Sequence, residues 1–184
     1  MATKEKPKTL VVTGKARLSY AHLFEAVSFK GGAAKYSVSV LIPKSDTATL
    51  AKIRAAVKEA TEIGKTKKWG GKVPPKLVLP LRDGDEERED DEAYIGHFFV
   101  NAKSSTPPEV VDYPGCDPIL DKNAIKSGDF ARVSMNFYPY DVEGGRGIAC
   151  GLNSVQKLAD GPSLMNRTSA ADDFADEFED DFLD

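Results

Sequence analysis

The sequence predicts a mainly β fold, a small Greek-key antiparallel barrel with one amphipathic helix. Three observations predict it. Several segments alternate apolar and polar residues with period two, a single stretch has helical spacing, and joints rich in glycine and proline separate them. So few strands protect their edges best by closing into a barrel. A long insertion, first basic and then acidic, and a disordered acidic tail complete the architecture.

Residues 9–20 (TLVVTGKARLSY) place Leu10, Val12, Ala16 and Leu18 on one face and Thr13, Lys15 and Arg17 on the other, as in a half-buried strand. KGGAAK at 30–35 supplies a turn. Residues 36–42 (YSVSVLI) give a second strand, with Val38, Val40 and Ile42 inward, Ser37 and Ser39 outward, and Pro43 ending it. Ser45, Asp46 and Thr47 offer helix caps. Leu50, Ile53, Val57 and Ala60 follow at helical spacing, so a helix is expected over about 47–63, with Gly64 as its stop. The insertion, about 65–92, reads as loop and short extended pieces. It runs from KTKKWGGKVPPKL, which contains the single tryptophan, into an acidic run.

A third strand covers 94–103 (YIGHFFVNAK), with Phe98 and Val100 on one side and Phe99, Asn101 and Lys103 on the other. Residues 107–121 are irregular apart from a short strand at 110–113. After the Ser127-Gly128-Asp129 turn, residues 130–140 form a strong strand. Ala131, Val133, Met135 and Phe137 face inward; Arg132, Ser134, Asn136, Tyr138 and Tyr140 face outward. EGGRG at 143–147 turns a hairpin into the last strand, 148–156. The folded unit is expected over residues 1–164 and the flexible tail over 165–184.

The net charge of −4 conceals a basic body. Residues 83–92 (DGDEEREDDE) and 171–184 (ADDFADEFEDDFLD) each carry eight acids, and without them 24 bases face 13 acids. A basic body predicts a polyanionic partner, and an acidic tail on it predicts competition for the same surface. No apolar run approaches the ~20 residues of a membrane span. The N-terminus leads into an alternating segment and not a signal-peptide core, so no membrane partner is expected. Cys116 and Cys150 are too few for a disulfide framework and read as reduced thiols of a cytosolic protein, with one bridge left open.

Enzyme signatures are absent: there is no GxxxxGK[ST] loop, no strand–GxGxxG–helix unit and no HExxH. Gly144, Gly145 and Gly147 serve a hairpin. His22, His97, Cys116 and Cys150 lack ligand spacing, so neither metal nor cofactor is expected. Like charges along one loop repel and cannot all converge on a cation, which makes a metal-dependent nuclease the least favoured alternative.

Three features belong together. Basic residues lie on outward strand faces: Lys15, Arg17, Lys103 and Arg132. Aromatic residues accompany them: Phe99, Tyr138, Tyr140, and Trp69 within a loop that also offers Lys67, Lys68 and Lys72. The tail adds Phe174, Phe178 and Phe182, one every four residues among acids. Lysine and arginine neutralise phosphates, and rings stack on unpaired bases at ~1–3 kcal/mol per base whatever the base. Duplex DNA hides its base faces, so the combination favours single strands, with weaker duplex binding at low salt. The tail's charge imitates a strand and its rings imitate bases, so it is expected to occupy the groove or to dock on partner proteins. An RNA-binding module and a strand-annealing protein remain alternatives. Oligomeric state, monomer or homodimer, stays open.

Residues 127–164 (SGDFARVSMNFYPYDVEGGRGIACGLNSVQKLADGPSL) resemble a phage family of single-stranded-DNA-binding proteins. KKWGGK at 67–72, PLRDGD at 80–85, YIGHFFVNAKS at 94–104 and the closing SAADDFADEFEDDFLD are similar too. The resemblance implies an OB-fold barrel that coats single-stranded DNA during phage replication, recombination or repair, in the cytoplasm of an infected bacterium. It also implies a tail that contacts replication or recombination proteins. The chain closes on Phe182-Leu183-Asp184, where such tails usually carry phenylalanine nearer the end.

Overall fold

The computed structural model describes residues 6–28, 31–143 and 145–164. In chain order the elements are β1 (Leu10–Val12), β2 (Ala16–Val27), β3 (Lys35–Pro43), α1 (Thr47–Lys67), β4 (Arg82–Asp83), α2 (Gly84–Glu87), a 3-10 turn (Glu92–Tyr94), β5 (His97–Ser104), β6 (Glu109–Val111), β7 (Phe130–Val142) and β8 (Gly145–Ala159). The phenylalanines expected to dock on partners, Phe174, Phe178 and Phe182, lie outside the described residues.

The sheet curls into a ring through β7. One edge of β7 pairs antiparallel with β1 and β2, the other with β8. β2–β3 and β3–β5 are antiparallel, and β5 meets β8 in parallel at a single register pair, Lys103 opposite Gly151. That one pair makes the ring an irregular, OB-like barrel. The inward rows are those the alternation predicts: Val38, Val40 and Ile42 on β3 and Ala131, Val133, Met135 and Phe137 on β7 are buried. Each of these side chains larger than alanine contributes roughly 1.5–3 kcal/mol on leaving water. α1 closes the barrel, burying Leu50, Ile53, Ala56 and Ala60 against the shared core.

The first strand differs from expectation. It breaks at Thr13-Gly14-Lys15 into β1 and β2, and the phase changes across the break. Val11 and Thr13 point inward, not Leu10 and Val12, while Ala16 and Leu18 stay buried as expected. The bend is held by α1: Gly14 N–H donates to Thr49 Oγ1 (2.9 Å), and Thr49 in turn is held by the capping carboxylate of Asp46. β2 also runs on to Val27, beyond the predicted end.

Gly64 does not stop the helix. It lies inside α1, where a Cβ would stand 2.6 Å from the Trp69 ring and 2.7 Å from Pro139. The helix ends one turn later. Lys68 and Trp69 N–H both donate to the Gly64 carbonyl, and the chain leaves through Gly70 and Gly71 at φ +66° and +91°, which a side chain resists. Gly64 is thus a seat for an aromatic ring.

The acidic run is ordered, contrary to the loop expected there. Asp83 and Asp91 each cap a short turn, accepting from Asp85 N–H (2.9 Å) and Ala93 N–H (3.2 Å). Lys44 bridges Asp83 (2.8 Å) and Asp85 (2.7 Å), and Arg82 pairs with Glu87 (2.8 Å). The hydrogen bonds that Lys44 donates to Asp83 and Asp85 raise its pKa, and the bond Asp85 accepts from Lys44, followed by that from Gly96 N–H, lowers the Asp85 pKa. Lys44 and Arg82 thus pair with three acids of the run, Asp83, Asp85 and Glu87.

Residues 161–164 do not leave the fold at once. Pro162 carbonyl accepts from Arg17 (2.8 Å), Leu164 N–H donates to the Ser127 carbonyl (3.2 Å), and Gly161 N–H donates to Asp129 (3.1 Å). Asp129, read as a turn residue, is fully buried and also accepts from Lys126 N–H (2.9 Å) and the Lys126 ammonium (2.6 Å), with the Lys157 ammonium at 3.5 Å. Burial alone would raise its pKa, but the bonds from Lys126 and Gly161 outweigh it and hold the carboxyl below its ordinary value.

Candidate nucleic-acid interface

The outward rows of β3 and β5 face one another in register: Ser37 opposite Lys103, Ser39 opposite Asn101, Leu41 opposite Phe99. The row splits in two. At one end Leu41 and Phe99 are roofed by Ala93 and Tyr94, which follow the insertion, and by Leu164. The Tyr94 ring meets Phe99 edge-on at 5.0 Å, and its hydroxyl donates to Ser39 Oγ (2.9 Å). At the other end the row is open, forming a groove of about 330 Å³ lined by Tyr20, Ser37, Val38, Ser39, Arg88, Asn101 and Lys103.

The open face continues across the barrel. Lys103 lies opposite Gly151, Gly151 opposite Asn136, and Tyr138 opposite Ala149. Tyr138 is 44% exposed, and its ring edge lies 3.6 Å from where a side chain at Gly151 would begin. The surface therefore offers hydroxyls, amides, a lysine and open rings on a floor of sheet.

Of the residues predicted to stack, Tyr138 is on this face and Tyr140 is half-buried beside it, over Gly147. Two expectations are corrected. Trp69 is 6% exposed; its indole N–H donates to the Tyr140 carbonyl, and its ring fills the seat left by Gly64. It anchors the basic loop and has no face free for a base. Phe99 lies on the expected side of its strand, but the roof leaves it 1% exposed. Alternation gives the side of a strand, and a segment folding over that side is invisible to it.

Among the basic residues, Lys103 lines the groove and Lys15 is exposed, its ammonium 4.5 Å from the Phe130 ring centre. Arg132 is exposed and donates through Nε to the Thr13 carbonyl (3.1 Å). Lys67, Lys68 and Lys72 are exposed around the anchored Trp69. Arg17 is the exception: it donates to the Gly128 (3.1 Å) and Pro162 (2.8 Å) carbonyls, which makes it a clamp on the C-terminal return and takes it out of the phosphate-facing row.

Sequence reasoning missed Tyr20 and Arg88. Tyr20 was in phase with core residues, but β2 and β3 slip register between Ser19 and His22, and the bulge turns the ring outward. The signal for Arg88 was present as the one base among the eight acids of 83–92. No group of three metal-ligating side chains is placed to hold a metal among the described residues. No helix among them is long and apolar enough to cross a membrane. Cys116 is exposed and Cys150 buried, both free thiols.

A model of the family described as Enterobacter phage Enc34 ssDNA-binding protein matches residues 9–183. The chain belongs to this family of phage single-stranded-DNA-binding proteins. It is 32% identical over 174 residues to putative protein p50 of Acyrthosiphon pisum secondary endosymbiont phage 1, covering 89% of each chain. Among solved structures it resembles the Enc34 family protein in complex with single-stranded DNA, with a TM-score of 0.75 and 24% identity over 88% of this chain and 97% of that one. It also resembles bacteriophage T7 gp2.5, a single-stranded-DNA-binding protein, with a TM-score of 0.62 and 19% identity over 93% of this chain and 95% of that one. Both likenesses confirm the OB-like fold. The Enc34 family is a binding family and not an enzymatic one.

Proposed function

We propose that this protein binds and protects single-stranded DNA without sequence preference during phage DNA replication, recombination or repair, inside the infected host cell. The observation that carries the reading is the open half of the β3–β5 face, where Lys103, Asn101 and two serines line a groove, with the exposed Tyr138 ring on the neighbouring strands that Lys103 meets at Gly151. Family membership supports it. Lys103 takes phosphates at the centre of the path, with Lys15, Arg132, Lys67, Lys68 and Lys72 as outlying cations; Tyr138 stacks a base, with Tyr140 at its flank. A floor of sheet reads no base edge selectively, and a stack accepts any base, so binding is sequence-tolerant. Residues 165–184 act as an anionic substitute for the strand and as a docking tail for partner proteins. That tail begins one residue past Leu164, which lies on the roof beside the groove.

The test is a titration of the full chain with matched single-stranded DNA, duplex DNA and single-stranded RNA across several salt concentrations. Tightest binding to single-stranded DNA, weakening steeply with salt, is expected. Preference for RNA, or equal affinity for duplex, overturns the reading.

A further inference from the structure

The groove's most unusual residue is Tyr20. It is 54% exposed and its backbone sits at φ +47°, a conformation that bulky residues rarely adopt. Such backbone outliers are retained where the surrounding structure holds them, often at ligand sites. Here the bulge between Ser19 and His22 turns the ring out of the barrel, into the lining of the groove. The Arg88 guanidinium lies over the ring at 5.7 Å from its centre and is itself steadied over Tyr94 at 5.3 Å. Arg88 thus braces the Tyr20 ring, which stays more than half exposed.

Across the groove stands Asn101, exposed and on the same outward row as Lys103. An asparagine amide offers both a donor and an acceptor and can turn to suit the edge of any base.

Resting on the reading above, we propose that Tyr20, Asn101 and Lys103 form a nucleotide slot: a base stacks on Tyr20, its edge meets the Asn101 amide, and its phosphate meets Lys103. Arg88 is a positioning residue for the ring. The acidic run therefore contributes the brace of the stacking platform, and Tyr94 just beyond it the roof over Phe99.

Two oligomers of equal length test this: oligo-dT and an abasic phosphodiester chain with the same number of phosphates. For the full-length protein, dT is expected to bind more tightly than the abasic chain. Tyr20→Ala lowers dT affinity about tenfold or more, within the range of one stack, and leaves abasic affinity unchanged. Tyr20→Phe retains the preference, which guards against misfolding as the cause. Lys103→Ala weakens both oligomers alike and lowers the salt slope by about one phosphate contact. If the unaltered protein binds dT but Tyr20→Ala changes neither affinity nor preference, the slot is wrong and the functional reading stands. If the unaltered protein binds neither oligomer, the functional reading fails and the slot with it.

Discussion

The Trp69 indole N–H donates to the carbonyl of Tyr140 at 3.2 Å, tying the end of the basic loop to the far end of β7. The ring is a piece of core that happens to sit in a loop of lysines. Trp69→Ala should cost about 3–5 kcal/mol of stability, the range for emptying a buried aromatic site. Urea unfolding measures it. Adding oligo-dT to the intact protein should leave the tryptophan emission largely unchanged; strong quenching would return Trp69 to the binding surface.

Asp129 should make stability fall in acid. Its folded pKa lies below the ordinary 3.8, so the stabilisation is complete above that value and is lost as pH falls through the folded pKa. Asp129→Asn keeps the shape but sets an amide NH2 against one of the N–H groups of Lys126 and Gly161 from which the carboxylate accepts, and should cost about 1–3 kcal/mol near neutral pH. Urea midpoints compared near neutrality and in acid should show a smaller acid loss in this variant than in the unaltered chain.

The two thiols should react unequally. Burial pushes the Cys150 thiol far above its usual range, so almost no thiolate forms there, whereas Cys116 is exposed. A thiol reagent applied to the folded protein should label Cys116 alone, and Cys150 only after denaturant is added. Rapid double labelling of the native chain would contradict the burial.

Removing residues 171–184 should tighten binding to single-stranded DNA, most visibly at low salt, because the segment carries eight acids and no base. Equal or weaker affinity in the shortened protein would dismiss the tail as a competitor for the groove.

The barrel was legible because its strands alternate cleanly: the inward rows of β3 and β7 lie where the periodicity puts them. The site was legible in part. The outward placement of Lys103 and Tyr138 follows from strand faces alone. The burial of Phe99 does not, because it depends on Tyr94 folding back after an insertion whose acids look unstructured until Lys44 and Arg82 are seen to pair with them. Tyr20 escaped because a bulge shifts its phase, and a period-two reading assumes none. Gly64 looked like a stop because a glycine near a helix end usually is one; here its missing side chain makes room for a ring five residues on.

The split row on β3 has a further consequence. Its boundary lies between Ser39 and Leu41, and on the proposed binding reading it marks where a bound strand would meet the Tyr94 roof. Removing the Tyr94 ring would lengthen the open row only by laying bare Leu41 and Phe99, both now sealed from water. A longer open row and a dry Leu41–Phe99 pair are thus mutually exclusive at that end of the sheet.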